Sequence, residues 1–471
     1  MSTEEFVSEV AIDCLFNDFT GKNKIGTALG VLAPMALGVG TGPVGWALMA
    51  VGGLAGAAGE SATKKAATST ARGVSSAVKQ SSSLLSNFVT GVIDFFRDAE
   101  DYFNLAFEQY QNDDFDGALN NLKESLKCDP NHAPAYLLRG LISEEKDDQK
   151  KAIEYYSIAI QKDKDYAIAY FLRGNIMLSV PLPEKALDDF SACIKLEPND
   201  ADYYLGHSKA FLLLQDYENA IYSLTQAISI DDTNLEAYFL RGSVFHEQKE
   251  LFKAIDDYNS ILAIDPDFVD AYDELGHLYF TLEEYNHSIE SYTKSLKIEP
   301  DDESILFGRG KSYFLNDCYE QAITDFTLAL EKRKDFNISQ FYRGLAYASS
   351  DKYSQAIKDF TYLIKHSELD DKEEIYLQRG NSYVATGQYR KALKDYCEAI
   401  KRDPNYAEAY ANRGQLHKSK QDIDSALQDF SKAIKLFYKE GDLTSVQALQ
   451  AEVKKAKQEI KKTPWWNKKI F

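Results

Sequence analysis

The sequence predicts an all-α solenoid of stacked helix pairs, and three observations carry that prediction. Glycines at 140, 174, 242, 276, 310 and 344 are separated by 34 residues or a multiple of 34. Apolar residues recur at helical spacing within both halves of each such stretch, and this spacing excludes strands. Prolines at 130, 198, 266, 300 and 404 fall at one place in the period, where they stop one helix from running into the next.

Setting each glycine to position 8 divides 99–440 into ten units, beginning at 99, 133, 167, 201, 235, 269, 303, 337, 373 and 407. The register breaks once, at a two-residue insertion of Asp371 and Lys372. Position 8 is Gly in eight units, with Ala106 and Ser208 in the others. Position 20 is Ala in nine, with Ser288 in the tenth, and position 4 is Tyr in eight. Position 24 is always large: Leu122, Tyr156, Phe190, Leu224, Tyr258, Tyr292, Phe326, Phe360, Tyr396 and Phe430. Small residues at 8 and 20 let two backbones approach while the large residue fills the space beside them. No unit buries its faces alone, so stacking must supply the core.

This pattern resembles the tetratricopeptide repeat, a helix–turn–helix family with a 34-residue period, over about three quarters of the chain. The resemblance implies a right-handed α-solenoid of about ten repeats that serves as a non-enzymatic scaffold or adaptor for a protein or peptide partner. An N-terminal helical extension and a C-terminal capping helix are expected to close its ends.

Position 7 departs from the family's usual core leucine. It is Arg in seven units (Arg139, Arg173, Arg241, Arg309, Arg343, Arg379, Arg413). Position 23 is Asp in six (Asp189, Asp257, Asp325, Asp359, Asp395, Asp429), and each of those six units carries the Arg. Leu105, His207 and Leu275 stand in the units without Arg, opposite Asn121, Ser223 and Ser291, while Arg139 faces Tyr155. The charges co-occur within a repeat, so the expectation is an ion pair joining its two helices, because a partly buried arginine needs a partner. The rival reading is a charged ligand-binding row.

In this family the concave surface is lined by the first helix, around positions 2, 5, 9 and 12. That places Phe103, Leu137, Phe171, Leu205, Phe239, Phe307, Phe341 and Leu377 in a candidate groove at position 5, with Asn175 at 9 and His246, Phe280 and Phe314 at 12. Asp273 and Ala411 complete position 5. The bland alternative is that position 5 fills core between helices. No unit has Lys or Arg at position 5, so the carboxylate clamp by which some family members hold chaperone tails is not expected. A Phe/Leu row with acidic rims would suit an amphipathic or extended segment with basic flanks.

Outside the repeats, 1–24 is an acidic segment and 25–59 an uncharged run of 35 residues, ten Gly and eight Ala, with a turn signal at "TGPVG". Each arm of about 15 residues would reach only ~22 Å as a helix, short of a ~30 Å hydrocarbon core. Lysines flank the run on both sides, as a hairpin with both ends in the cytosol would have. Its candidate lipid contacts are Ile25, Leu29, Leu32, Leu37, Trp46, Leu48 and Leu54; packing on protein is the alternative. Residues 60–98 read as a linker and capping helix, 441–462 as a closing helix, and 463–471 as a basic aromatic tail with two open readings: Trp465 and Trp466 meet lipid headgroups, or the tail is a short linear motif for a protein partner.

The net charge of −20 argues against nucleic acid as a partner. The repeats are its source, with 39 Lys and Arg against 62 Asp and Glu. Five dispersed cysteines without a C-x-x-C pair fit a reducing compartment and give no metal site. The start "MSTEEFVSEV" lacks the basic and apolar regions of a secretory signal, so an intracellular, cytoplasmic location with membrane association through the hairpin is expected. No H-E-x-x-H or phosphate loop is present, and neither an enzyme nor a cofactor is expected. Two other functions compete with the membrane-held scaffold. One is a membrane-permeabilising, pore-forming effector whose hairpin the repeats control. The other is a wholly soluble adaptor.

Overall fold

The computed structural model describes residues 97–366 and 372–462, and every regular element among them is an α-helix. The segments 1–24 and 25–59, nearly all of 60–98, Asp371 and the tail 463–471 lie outside the described residues. So do the candidate lipid contacts Ile25, Leu29, Leu32, Leu37, Trp46, Leu48, Leu54, Trp465 and Trp466.

The chain divides into two compact units between Ile264 and Asp265. The first holds five helix pairs: α1 (Ala99–Gln111) with α2 (Phe115–Cys128), α3 (Ala133–Glu145) with α4 (Gln149–Lys162), α5 (Ala167–Ser179) with α6 (Pro183–Leu196), α7 (Ala201–Leu213) with α8 (Tyr217–Ile230), and α9 (Leu235–Glu247) with α10 (Leu251–Ile264). The second also holds five: α11 (Val269–Thr281) with α12 (Tyr285–Ile298), α13 (Glu303–Leu315) with α14 (Tyr319–Lys332), α15 (Asn337–Ser349) with α16 (Tyr353–His366), α17 (Lys372–Ala385) with α18 (Tyr389–Arg402), and α19 (Ala407–Ser419) with α20 (Ile423–Glu440). A last helix, α21 (Leu443–Lys462), sets Val446 and Leu449 against Leu436 and Phe437 of α20.

The turn inside a pair is made the same way in nine of the ten. Position 15 takes positive φ, near 60° at Asp113, Asp147, Gln215, Lys249, Glu283, Asp317, Asp351 and Gln421, and 72° at Gly387. One left-handed residue ends the first helix, and position 16 can then start the second. Asp114, Asp148, Asp216 and Asp422 do so by accepting the amide N–H of Gly117, Lys151, Asn219 and Ser425. In the third pair Pro181 occupies position 15, where its ring forbids positive φ, and Pro183 opens α6 instead. Between pairs the chain turns extended, as at Asp129 (φ −135°) before Pro130.

The core of each pair is built by three positions. The alanines at 20 are fully buried, and so are most side chains at 24. In the eight units with Gly at 8, the ring at 24 lies on that glycine: a Cβ on Gly310 would come 2.7 Å from the Phe326 ring. Where position 8 carries a side chain, at Ala106 and Ser208, position 24 is a leucine, Leu122 or Leu224. Volume is thus conserved across the helix–helix contact, as close packing requires.

This exchange generates a test. Gly310→Ala should cost about 1–3 kcal/mol through overpacking, more than offsetting the ~1 kcal/mol gained in helix propensity. In a Phe326→Leu background the same change should cost much less, as read by urea unfolding.

Candidate functional site: arginine forks and the first-helix row

Positions 7 and 23 meet wherever both charges are present. Arg173 Nε donates to Asp189 Oδ2 at 2.8 Å and Nη2 to Oδ1 at 2.6 Å, a two-pronged fork between α5 and α6. The same fork joins Arg241 to Asp257, Arg309 to Asp325, Arg343 to Asp359, Arg379 to Asp395 and Arg413 to Asp429. The carboxylates are buried and the guanidiniums nearly so, at 3% for Asp189 and 18% for the Arg173 side chain. Burial opposes the Arg173 charge, but Asp189 more than offsets it and holds the guanidinium above its usual range. Burial also raises the Asp189 carboxyl, even against the fork.

The third corner of each guanidinium reaches out of its own repeat. Nη1 donates to position 25 of the preceding unit: Ser157 for Arg173 (2.9 Å), Thr225 for Arg241 (3.1 Å), Thr293 for Arg309 (3.3 Å), Thr327 for Arg343 (3.3 Å) and Thr361 for Arg379 (3.1 Å). Arg413 finds Cys397 Sγ at 3.2 Å. Tyrosines cover the guanidinium faces, at position 4 (Tyr170, Tyr238, Tyr376, Tyr410) or position 11 (Tyr313, Tyr347). A guanidinium has five N–H donors and no acceptor, so each fork leaves little for a ligand to take.

Two units show what replaces the fork. His207 sits between Ser191 Oγ (3.3 Å) and Ser223 Oγ (3.0 Å), with burial pushing its imidazole down to about 4. It is a neutral imidazole at neutral pH, bridging the same two second helices. Arg139 lies over Tyr155 and keeps a buried Nε without a hydrogen-bond partner.

Position 5 divides into two groups. Phe103, Leu137, Leu205 and Leu377 are buried, so for these four the groove reading gives way to packing: each belongs to the apolar core of the stack. Phe171, Phe239, Phe307 and Phe341 are half-buried. Each leans on the ring at position 24 of its own unit, with centroids 5.5–6.0 Å apart, and leaves part of its surface open. His246, Phe280 and Phe314 at position 12 are also half-buried, and Asn175 is exposed.

Asp273 interrupts the row. Its carboxyl is buried beside the Ser295 hydroxyl, and burial pushes it up to about 7 against the lowering effect of that hydroxyl. Among the described residues no cluster of three or more His, Cys, Asp or Glu could hold a metal ion, and no helix is long and apolar enough to cross a membrane.

Serially repeated helix pairs with this packing define a helical-repeat protein of the interaction-scaffold class. Sequence models described as TPR repeat match residues 209–249, 242–283, 276–317 and 380–421, and models described as tetratricopeptide repeat match 103–176 and 407–439. Together they span about half of the chain, which belongs to the tetratricopeptide repeat family. No curated protein matches it by sequence. Among solved structures it is similar to MamA, at 27% identity over 36% of this chain and 92% of that one, with a TM-score of 0.34. A second is the C-terminal part of a TPR repeat-containing protein from Cytophaga hutchinsonii, at 18% identity over 51% and 97%, with a TM-score of 0.46. A third is YrrB, described as a TPR protein with an unusual peptide-binding site, at 20% identity over 39% and 95%, with a TM-score of 0.36.

The fork supplies a quantitative expectation. Arg309→Met alone leaves Asp325 buried and unpaired and should cost about 3–5 kcal/mol. With Asp325→Leu already present the cost should fall by at least half, and a strictly additive double-mutant cycle in urea unfolding would remove the pairing from the stability of the fold.

Proposed function

We propose that the chain is a non-enzymatic scaffold that captures a peptide segment of a protein partner along its first-helix row. The arginine row, in this reading, ties the repeats together and takes no part in capture. The half-burial of phenylalanine rings within each unit taken by itself carries the proposal: Phe171 and Phe239 in the first, and Phe280, Phe307, Phe314 and Phe341 in the second. These rings are fixed from beneath by the core and open on one side, which makes them pre-organised apolar anchors. Each forked guanidinium has three of its five N–H donors taken within the repeats, as Arg173 has.

Photo-cross-linking tests this reading on the full-length chain, against a ligand selected from a displayed random-peptide library. A benzophenone side chain at 239, 280 or 314 should cross-link to the bound peptide. One at Tyr362, which is exposed on the second helix of its pair, should not. Labelling at 362 equal to that at 280 and 314 would remove the groove assignment.

We further propose that residues 25–59 hold the scaffold at a membrane. Support comes from the 35-residue uncharged run and the lysines on either side of it. The full chain should remain with membranes after carbonate extraction, and a chain beginning at residue 74 should be released. Release of both would end the anchoring proposal, and dye leakage from liposomes with the full chain alone would favour the permeabilising effector over the scaffold.

A further inference from the structure

One cation in the second unit lacks the partner its type demands. Lys311 occupies position 9 of α13, half-buried among rings from three successive first helices. Its Nζ lies 4.6 Å from the centroid of Phe280, 5.7 Å from Phe307 and 5.7 Å from Tyr342. Burial lowers the proton affinity of the ammonium. Among the described residues Lys311 forms neither an ion pair nor a hydrogen bond.

The first unit contains the internal comparison. Lys209 occupies position 9 of α7 and is also half-buried, with its side chain 18% exposed. It pairs at 2.5 Å with Glu236, at position 2 of the following repeat. In the repeat after Lys311 that place belongs to Ile338, which is exposed. The acid that completes the site in one repeat is thus exchanged for an apolar side chain in the other. Ring faces return only part of the hydration that a buried ammonium loses. The omission is local: the ten repeats together carry 62 acidic side chains against 39 basic ones.

We infer that Lys311, ringed by Phe280, Phe307 and Tyr342 and with Ile338 at the repeat position that Glu236 takes in the first unit, is a subsite for an Asp or Glu side chain of a peptide ligand whose neighbouring residue is large and apolar. The ligand's carboxylate accepts from the Lys311 ammonium where Glu236 does in the first unit, and its apolar neighbour covers Ile338. Charge complementarity decides the occupant. A cation set in rings and open on one side selects an anion with an apolar flank. A segment with only basic residues would place like charge against Lys311. This proposal departs from the basic-flank expectation at one point of the groove. It rests on the groove reading above and adds the chemistry of one subsite.

Selection of a random dodecapeptide display library on the full-length chain tests it. Enriched peptides should carry Asp or Glu beside a large apolar residue. Replacing that Glu by Gln should weaken binding about tenfold or more, the worth of one charge-assisted hydrogen bond. Lys311→Met should erase the Glu/Gln discrimination with thermal unfolding little changed. Ile338→Glu rebuilds the Lys209–Glu236 arrangement within the chain and should weaken the acidic peptide about tenfold by competition. The Gln peptide should be affected far less. Equal binding of the Glu and Gln peptides, or discrimination that survives Lys311→Met, would overturn the inference. Cross-linking at 280 and 314 would then still stand for the groove itself. Enrichment of no peptide at all would overturn both.

Discussion

The separation of the two helices in each repeat is the constraint on which the rest of the structure depends. It is fixed by a ring at position 24 resting on the bare backbone of position 8, or by a leucine resting on Ala or Ser. Positions 7 and 23 are the immediate neighbours of that contact, so the same approach that seats the ring brings guanidinium and carboxylate within reach. The would-be Cβ of Gly414 lies 3.1 Å from the Asp429 Cβ, and that of Gly242 lies 3.4 Å from the Asp257 Cβ. A bulkier residue at 8 would therefore disturb the fork as well as the ring. Packing and charge are here one geometric decision.

A carboxylate buried to the extent of Asp189 is costly in isolation and tolerable only when its lone pairs are met. The fork does this twice over, with Nε and Nη2, and the remaining Nη1 finds a hydroxyl or thiol on the previous second helix. Ser, Thr and Cys at position 25 are short enough to stay within their own helix surface while presenting one acceptor. The His207 unit obeys the same logic with neutral groups, Ser191 and Ser223 flanking the imidazole.

Much of this was legible in the residues because the repeat offers internal comparison. The helix pairs follow from a 34-residue period, and the trace of the fork is the joint occurrence of Arg at 7 and Asp at 23. The hydroxyls at 25 were harder to see, since Ser and Thr on a helix usually bond their own turn and stand out only when read against the Arg of the following unit. The left-handed residue at 15 was invisible for a related reason. Asp, Gln, Lys and Glu occupy it where glycine would have announced it. Position 5 was ambiguous because Phe and Leu alternate there. Phe171 retains open surface, whereas the smaller Leu137 and Leu377 disappear into the core. Lys311 carries no motif, and its lack of a counter-ion emerges only from what surrounds it in space.

The third prong of the arginine gives the stack a nearest-neighbour coupling that packing alone would not. In the second unit four successive junctions carry it, from Thr293–Arg309 through Cys397–Arg413. Opening any one of these repeats strips a donor or an acceptor from the repeats beside it, so fraying cannot stop cheaply at a repeat boundary. In the first unit the Ser157–Arg173 and Thr225–Arg241 junctions are separated by the uncharged histidine bridge, and Arg139 has no carboxylate fork. Local unfolding in a repeat array follows the weakest interface. The two units are thereby made unequal, with the end around Arg139 the softer and the run from α12 to α20 responding as a single block.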